Sequence, residues 1–75
     1  MVQHFKVIIG HESSGGFSAF VPCLPGCASQ GASVEEALTN IKEAIGLYLE
    51  SLQEDGLPLP SSDVEVLVKD VVVNV

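Results

Sequence analysis

The residues best suited to chemistry are two cysteines, Cys23 and Cys27, which lie four positions apart across a predicted turn. A thiol nucleophile needs a nearby cation to lower its pKa, and no basic residue is adjacent to either cysteine in the sequence. Structural zinc usually takes four Cys or His ligands, but His4 and His11 lie upstream, in a strand and its turn. A disulfide is geometrically possible but is not expected in a reducing cytoplasm. We expect Cys27 to be a small buried residue and Cys23 to be a turn residue.

Neither the histidines nor the carboxylates form a catalytic pattern. No Ser, Cys or Asp stands at nucleophile spacing to His4 or His11, so both are expected to be surface or edge residues. The carboxylates follow the polar face of a predicted helix over about 30 Å, at a rise of about 1.5 Å per residue. A metal-dependent nuclease needs carboxylates that converge on one spot. We therefore expect no catalytic, metal or cofactor site, and a solvated or partner-facing surface made of Glu35, Glu36, Glu43, Glu50, Glu54 and Asp55.

The composition indicates one small acidic domain, residues 1–75, that associates with other proteins. Ten acidic residues against three basic ones give a net charge of -7, so direct nucleic-acid binding is not expected. The acidity favours a basic protein partner, although it is equally consistent with solubility alone. Because 47% of this short chain is hydrophobic, we expect self-association to bury what a monomer leaves exposed. No secretory signal and no apolar run of about 20 residues is evident, which predicts a cytoplasmic protein without a membrane segment.

Three short strands are predicted before the helix. Alternating polarity predicts strands over Val2–Gly10 and Phe17–Pro22, joined by a glycine-containing loop as a β-hairpin. The segment from Cys23 to Gly26 is expected to form a tight turn, because Pro25 fixes φ and Gly26 tolerates a left-handed backbone. A third antiparallel strand is predicted over Cys27–Gln30. The resulting meander has an apolar face that needs a cover.

An amphipathic helix over about 34–55 is expected to supply that cover. Ser33 and Glu36 form a capping box, and apolar residues then recur every three or four positions over five turns. Gly56 is a plausible stop, and the prolines at 58 and 60 prevent continuation. Gly46 and Leu47 lie off the apolar stripe, and a glycine inside the helix favours close approach by another element over simple sequence drift.

The valine-rich residues Val64–Val75 predict one or two final strands, with a change of phase at Lys69-Asp70. An unpaired edge of this kind promotes aggregation. Pairing with a neighbouring subunit would remove that hazard. We therefore expect a homo-oligomer, a dimer or a tetramer, that forms through the C-terminal strand.

The order and close spacing of several motifs resemble the HicB-like antitoxin family over nearly the whole chain. The residues concerned are Gly15-Gly16-Phe17, Val21-Pro22, Leu24-Pro25-Gly26-Cys27, Gln30-Gly31, Ser33, Glu35-Glu36-Ala37, Asn40-Ile41 and Glu43-Ala44-Ile45. The resemblance implies an α+β fold of β-β-β-α-β order, a partial ribonuclease H-like core without nuclease activity. It further implies binding to a small basic HicA-type toxin that cleaves mRNA. The helix-turn-helix or ribbon-helix-helix extension of many members is absent from this sequence.

These observations lead to a non-enzymatic module that sequesters a basic toxin by occlusion. Its acidic surface is expected to steer the toxin through Glu35, Glu43, Glu50 and Glu54. The alternative is a stand-alone homo-oligomeric scaffold or ligand-binding protein of the same fold without a toxin. A third hypothesis, residual nuclease activity, lacks the carboxylate arrangement that it requires.

Overall fold

A computed structural model describes residues 3–60 and 65–74 of the chain. Strands β1 (Ile8–His11), β2 (Phe17–Phe20) and β3 (Ala28–Gly31) form an antiparallel sheet in the order β1-β2-β3, and helix α1 (Val34–Glu54) follows. The register places Ile9 opposite Ala19 and Ala19 opposite Ser29. The predicted α+β fold, a three-stranded meander followed by one long helix, is confirmed.

The first two strands are shorter than the sequence predicted. Among the described residues, which do not include Val2, pairing begins at Ile8, and β1 runs one residue past its predicted end to His11. Strand β2 ends at Phe20 rather than at Pro22. Val21 N still donates to Cys27 O at 3.1 Å, but Pro22 has no N–H to donate and the turn begins there. Residues 3–7 would need that missing length of β2 as their partner, so they lie outside the ladder, with half-buried and exposed residues in alternation.

The turn between β2 and β3 lies one residue later than predicted. Leu24 N donates to Val21 O at 3.1 Å, and Cys27 N donates to Leu24 O at 3.0 Å, which defines two successive turns. Pro25 and Gly26 are the central residues of the second turn, and Gly26 has a φ of +82°. This pairing of proline with a left-handed glycine is typical of a type II turn. It also moves β3 from the predicted Cys27–Gln30 to Ala28–Gly31.

Helix α1 begins and ends with the predicted caps. Glu36 N donates to Ser33 Oγ at 3.1 Å, and Ala32 N donates to the Glu36 carboxylate at 3.2 Å. At the other end Gly56 has a φ of +69°, and Leu57 N donates to Leu52 O at 2.9 Å. This is a Schellman arrangement, in which a left-handed residue just past the helix lets the chain satisfy its last carbonyls.

The core lies between α1 and one face of the sheet. Its buried residues come from β2, the turn loop and the helix: Ala19, Val21, Leu24, Cys27, Ala37 and Ile41. Gly31 permits this packing, because a Cβ at that position would lie 2.5 Å from the backbone nitrogen of Ala37. The start of α1 therefore approaches β3 more closely than any side chain would allow.

The C-terminal residues 65–74, called here the C-terminal segment, have no strand partner among the described residues. Most of the large apolar side chains of the segment are exposed, up to 96% for Val72. The radius of gyration is 14.2 Å, against about 11 Å expected for a compact domain of this length. The predicted C-terminal strand is thus not formed within the described chain. Its ends, Val64 and Val75, lie outside the described residues.

Candidate functional site

The side of α1 that faces away from the sheet carries an acidic stripe, called here the acidic face. It consists of Glu43, Leu47, Glu50 and Glu54, whose spacing of four, three and four places them in one row along the helix. All four side chains are exposed, and Leu47 is 61% exposed. The row therefore joins three carboxylates to one solvent-facing apolar side chain.

Glu35, the fourth carboxylate expected to steer a partner, is exposed but does not belong to that row. It precedes Glu43 by eight residues, so at 3.6 residues per turn it is rotated by about 80° around the helix. Glu36, at seven residues before Glu43, does continue the row, but its carboxylate is engaged by the backbone of Ala32. The structure thus aligns Glu43, Glu50 and Glu54 and leaves Glu35 to one side.

The opposite flank of the helix borders a groove, called here the apolar groove, with a volume of about 430 Å³. Residues 3–7 form one wall and α1 forms the other. The lining residues are Gln3, Phe5, Val7, Leu38, Ile41, Lys42, Ile45, Gly46 and Leu49. Leu38 is 43% exposed. A Cβ added at Gly46 would meet no heavy atom within 4 Å, so the close approach predicted at this glycine is not made by the described residues.

A second, polar cleft of about 530 Å³ lies where the β1–β2 loop meets the start of α1. Its carboxylates are Glu12 and Glu36, and the latter already accepts from Ala32 N. Asn40 also borders the cleft, but its amide donates to Gln30 O at 2.8 Å. Across residues 3–60 and 65–74, no group of three or more Cys, His, Asp or Glu is placed to hold a metal ion.

The two cysteines are free thiols with different environments. Cys27 is buried in the core and Cys23 is half-buried in the turn loop, as predicted. Burial raises the pKa of the Cys27 thiol, and the nearby Cys23 adds to this rise. A raised pKa keeps a thiol protonated, whereas a nucleophilic cysteine needs the thiolate. The environment of Cys27 is therefore that of a packing residue.

His11 stacks on an aromatic ring rather than pairing with a nucleophile. Its ring lies 4.5 Å from that of Phe17, centroid to centroid, with an angle of 12° between the planes. The two residues are register partners on β1 and β2. His4 is exposed before β1 begins. The contact of His11 covers one side of Phe17 at the end of the sheet.

Sequence reasoning missed two features of these surfaces. Helical spacing over the predicted range 34–55 places Leu47 in one row with Glu43, Glu50 and Glu54, but the surface expected to steer a partner was limited to carboxylates. The apolar groove was not predicted, because residues 3–7 were assigned to a paired strand. No helix among the described residues is both long and apolar enough to cross a membrane.

Comparison with known proteins gives a consistent result. Residues 5–72 match the family described as the HicB-like antitoxin of bacterial toxin-antitoxin systems. A UPF0150 protein of Synechocystis sp. is 46% identical over 65 residues, which cover 87% of this chain and 82% of the relative. A UPF0150 protein of Helicobacter pylori is 54% identical over 56 residues, covering 75% of this chain and 78% of the relative.

Structural similarity points the same way. A chain of the solved HicA3 and HicB3 toxin-antitoxin complex superposes with a TM-score of 0.66 at 27% sequence identity. The match covers 83% of the present chain and 72% of the other.

Proposed function

This chain belongs to the HicB-like antitoxin family, and from that premise we propose that it sequesters a small basic HicA-type, mRNA-cleaving toxin by occluding the toxin's site. The observation that carries the proposal is the acidic face, where an exposed leucine lies in one row with three carboxylates. Its support from outside the chain is the similarity to a protein of a solved toxin-antitoxin complex. In this proposal the protein is a cytoplasmic binding module without enzymatic activity.

The acidic face fits the two tasks that sequestration requires. The exposed carboxylates attract a basic surface and raise the rate of association. They are Glu43, Glu50 and Glu54, with Glu35 to one side. A solvated charge contributes little to final affinity because water and salt screen it. Leu47 supplies an apolar anchor of the kind that holds a complex once water is excluded around it.

Charge reversal on the acidic face tests the electrostatic steering of association separately from the apolar contact that holds the complex together. The triple variant Glu43→Lys, Glu50→Lys and Glu54→Lys is expected to slow association with a co-purified basic toxin by about tenfold or more and to flatten the salt dependence of the rate. Stopped-flow or surface plasmon resonance measurements at several salt concentrations give the association rate and its salt dependence. The control reverses Glu12, an exposed carboxylate of the β1–β2 loop that lies outside both the acidic face and the C-terminal segment. Unchanged kinetics in the triple variant would show that the toxin binds elsewhere.

The second candidate function is a homo-oligomeric scaffold or ligand-binding protein of the same fold without a toxin. The exposed C-terminal segment favours it, because this segment is suited to joining copies of the chain. Assembly through the C-terminal strand, as a dimer or tetramer, is part of both proposals. The two differ in gene context and in binding: the scaffold predicts stable oligomers that capture no basic protein encoded by a neighbouring gene.

A further inference from the structure

The apolar groove is open in the described chain, although it is suited to bind an extended segment. Phe5 and Val7 form one wall, and side chains at three- or four-residue spacing along α1 form the other: Leu38, Ile41, Ile45 and Leu49. β1 is an edge strand whose ladder begins only at Ile8, and residues 3–7, which lead into it, have the alternating burial of an extended chain. An edge that lacks a partner has backbone groups free to pair with an added strand.

The same chain carries an apolar segment that lacks a cover. Within the C-terminal segment the exposed large side chains are Leu67, Val68, Val71, Val72 and Val73. Four of these five are β-branched valines, which favour strands that pack against an apolar surface. The ten residues of the segment span about 33 Å when extended, which matches the roughly 30 Å of edge that residues 3–11 provide.

From this complementarity we propose that the C-terminal segment of a second copy of the chain adds to the edge of residues 3–11 and fills the apolar groove. The exchange is reciprocal in a dimer, so each copy covers the groove of the other. The inference deepens the proposed function, in which assembly occurs through the C-terminal strand, by naming the surface that receives that strand.

Charge distinguishes a second copy from a basic toxin as the occupant. The chain has only three basic residues. Of these, only Lys42 lines the groove. The C-terminal segment carries two acidic residues, Glu65 and Asp70, and one basic residue, Lys69, which gives a net charge of -1. A basic protein is disfavoured by Lys42, whereas this weakly acidic segment is compatible with it.

The described position of the C-terminal segment favours exchange between chains over docking within one chain. Its large side chains are exposed, and none of its residues lines the groove of its own chain. Pro58 and Pro60 bias the exit from the helix towards extended backbone. Exchange of an identical element between copies needs no new interface chemistry, because the groove and the segment are already complementary.

Two exposed leucines on α1 give a matched test on the full chain without any toxin. Leu38→Glu places a carboxylate in the apolar groove, whereas Leu47→Glu places the same group on the acidic face. Light scattering coupled to size exclusion is expected to give twice the 7.9 kDa chain mass for the wild type and for Leu47→Glu. Leu38→Glu is expected to raise the dimer dissociation constant at least about tenfold. A wild-type monomer, or equal behaviour of the two variants, overturns the proposal.

A second measurement needs no variant and identifies the contact directly. Equal amounts of isotope-labelled and unlabelled wild-type chain are mixed, unfolded and refolded together. Filtered NOE spectra are then expected to show contacts between the valine methyls of one copy and the methyls of Leu38 and Ile45 of the other. Contacts found only within one chain would overturn the exchange.

The two proposals fail separately. A monomeric chain that still binds a basic toxin would overturn the groove assignment and leave sequestration intact. A dimer that is joined through the groove but binds no basic partner would overturn sequestration and leave the groove assignment intact.

Discussion

The side-chain amide of Asn40 donates a 2.8 Å hydrogen bond to the backbone carbonyl of Gln30, and so ties the second turn of α1 to the edge strand β3. It is the side-chain hydrogen bond of longest sequence separation in α1 among those found in the described residues. The bond lies one residue from Gly31, where the backbone of α1 leaves no room for a Cβ on the sheet. Side chain and backbone thus fix the same corner of the domain.

Asn40→Asp is expected to destabilise the fold by about 1 to 2 kcal/mol at pH 7, because it replaces the donor by a charged acceptor that faces a carbonyl oxygen. Urea unfolding of variant and wild type at equal protein concentration measures the difference. The measurement repeated near pH 3 is an internal control. There the new carboxyl is largely protonated and can donate again, so the difference should shrink; a difference that persists unchanged would contradict this role of Asn40.

Gly31→Ala is expected to cost about 1 to 3 kcal/mol, since the new Cβ would lie 2.5 Å from Ala37 N and 2.8 Å from the carbonyl carbon of Glu36. Both neighbours are backbone atoms that cannot rotate away. Gly10→Ala is the matched control, because its Cβ would meet the movable Ser18 hydroxyl at 2.8 Å. Thermal unfolding should show a much smaller loss for the control; equal losses would mean that the close approach at Gly31 is not what requires glycine.

Ser33→Ala is expected to lower stability by about 1 kcal/mol, because Glu36 N loses its acceptor at the start of α1. Ser51→Ala changes the same residue type at an exposed position inside the helix. There alanine is the better helix former, and the control should be neutral or slightly stabilising. Helix signal in circular dichroism during urea unfolding distinguishes the two, and a neutral Ser33→Ala would argue against the cap.

The raised pKa of Cys27 predicts a stability that declines at alkaline pH. In the folded state burial favours the protonated thiol. The contribution of Cys27 to the free energy of unfolding is therefore fully present below the ordinary thiol pKa of 9.0. This contribution is lost as the pH rises from 9.0 through the raised pKa of the folded state. Unfolding free energies measured from pH 7 to pH 10 should fall less steeply in Cys27→Ala than in the wild type.

Cys23→Ala provides the comparison for that experiment. Burial is the larger cause of the raised pKa at Cys27 and Cys23 the smaller, so this variant should keep most of the alkaline decline. Identical pH profiles for wild type and Cys27→Ala would mean that burial of Cys27 does not perturb its titration.

Local signals predicted the parts of the fold that depend on local chemistry. Ser33, Glu36 and Gly56 mark the ends of α1 within one residue, because caps act over a single turn. Strand ends depend on a partner strand, and the alternation of residues 2–10 could not show that β2 stops pairing at Phe20. For the same reason the valine-rich segment predicts a strand without identifying what it pairs with.

The candidate surfaces were only partly predictable. Helical spacing placed Glu43, Glu50 and Glu54 on one side of α1. Glu36 continues that row, but its carboxylate accepts a hydrogen bond from Ala32 N in the helix cap. The apolar groove depends on residues 3–7 leaving the ladder, which is a tertiary effect. The Asn40 hydrogen bond links positions ten residues apart, and no local propensity encodes such a pair.

The division of α1 into an acidic face and a groove-lining flank bears on valency. Because the two surfaces lie on different sides of one helix, occupation of the groove leaves Leu47 and its carboxylates accessible. A pair of chains joined through their grooves is then bivalent for toxin. Titration should saturate at one toxin per chain and follow a single affinity, and a toxin presented in two linked copies should be held by avidity.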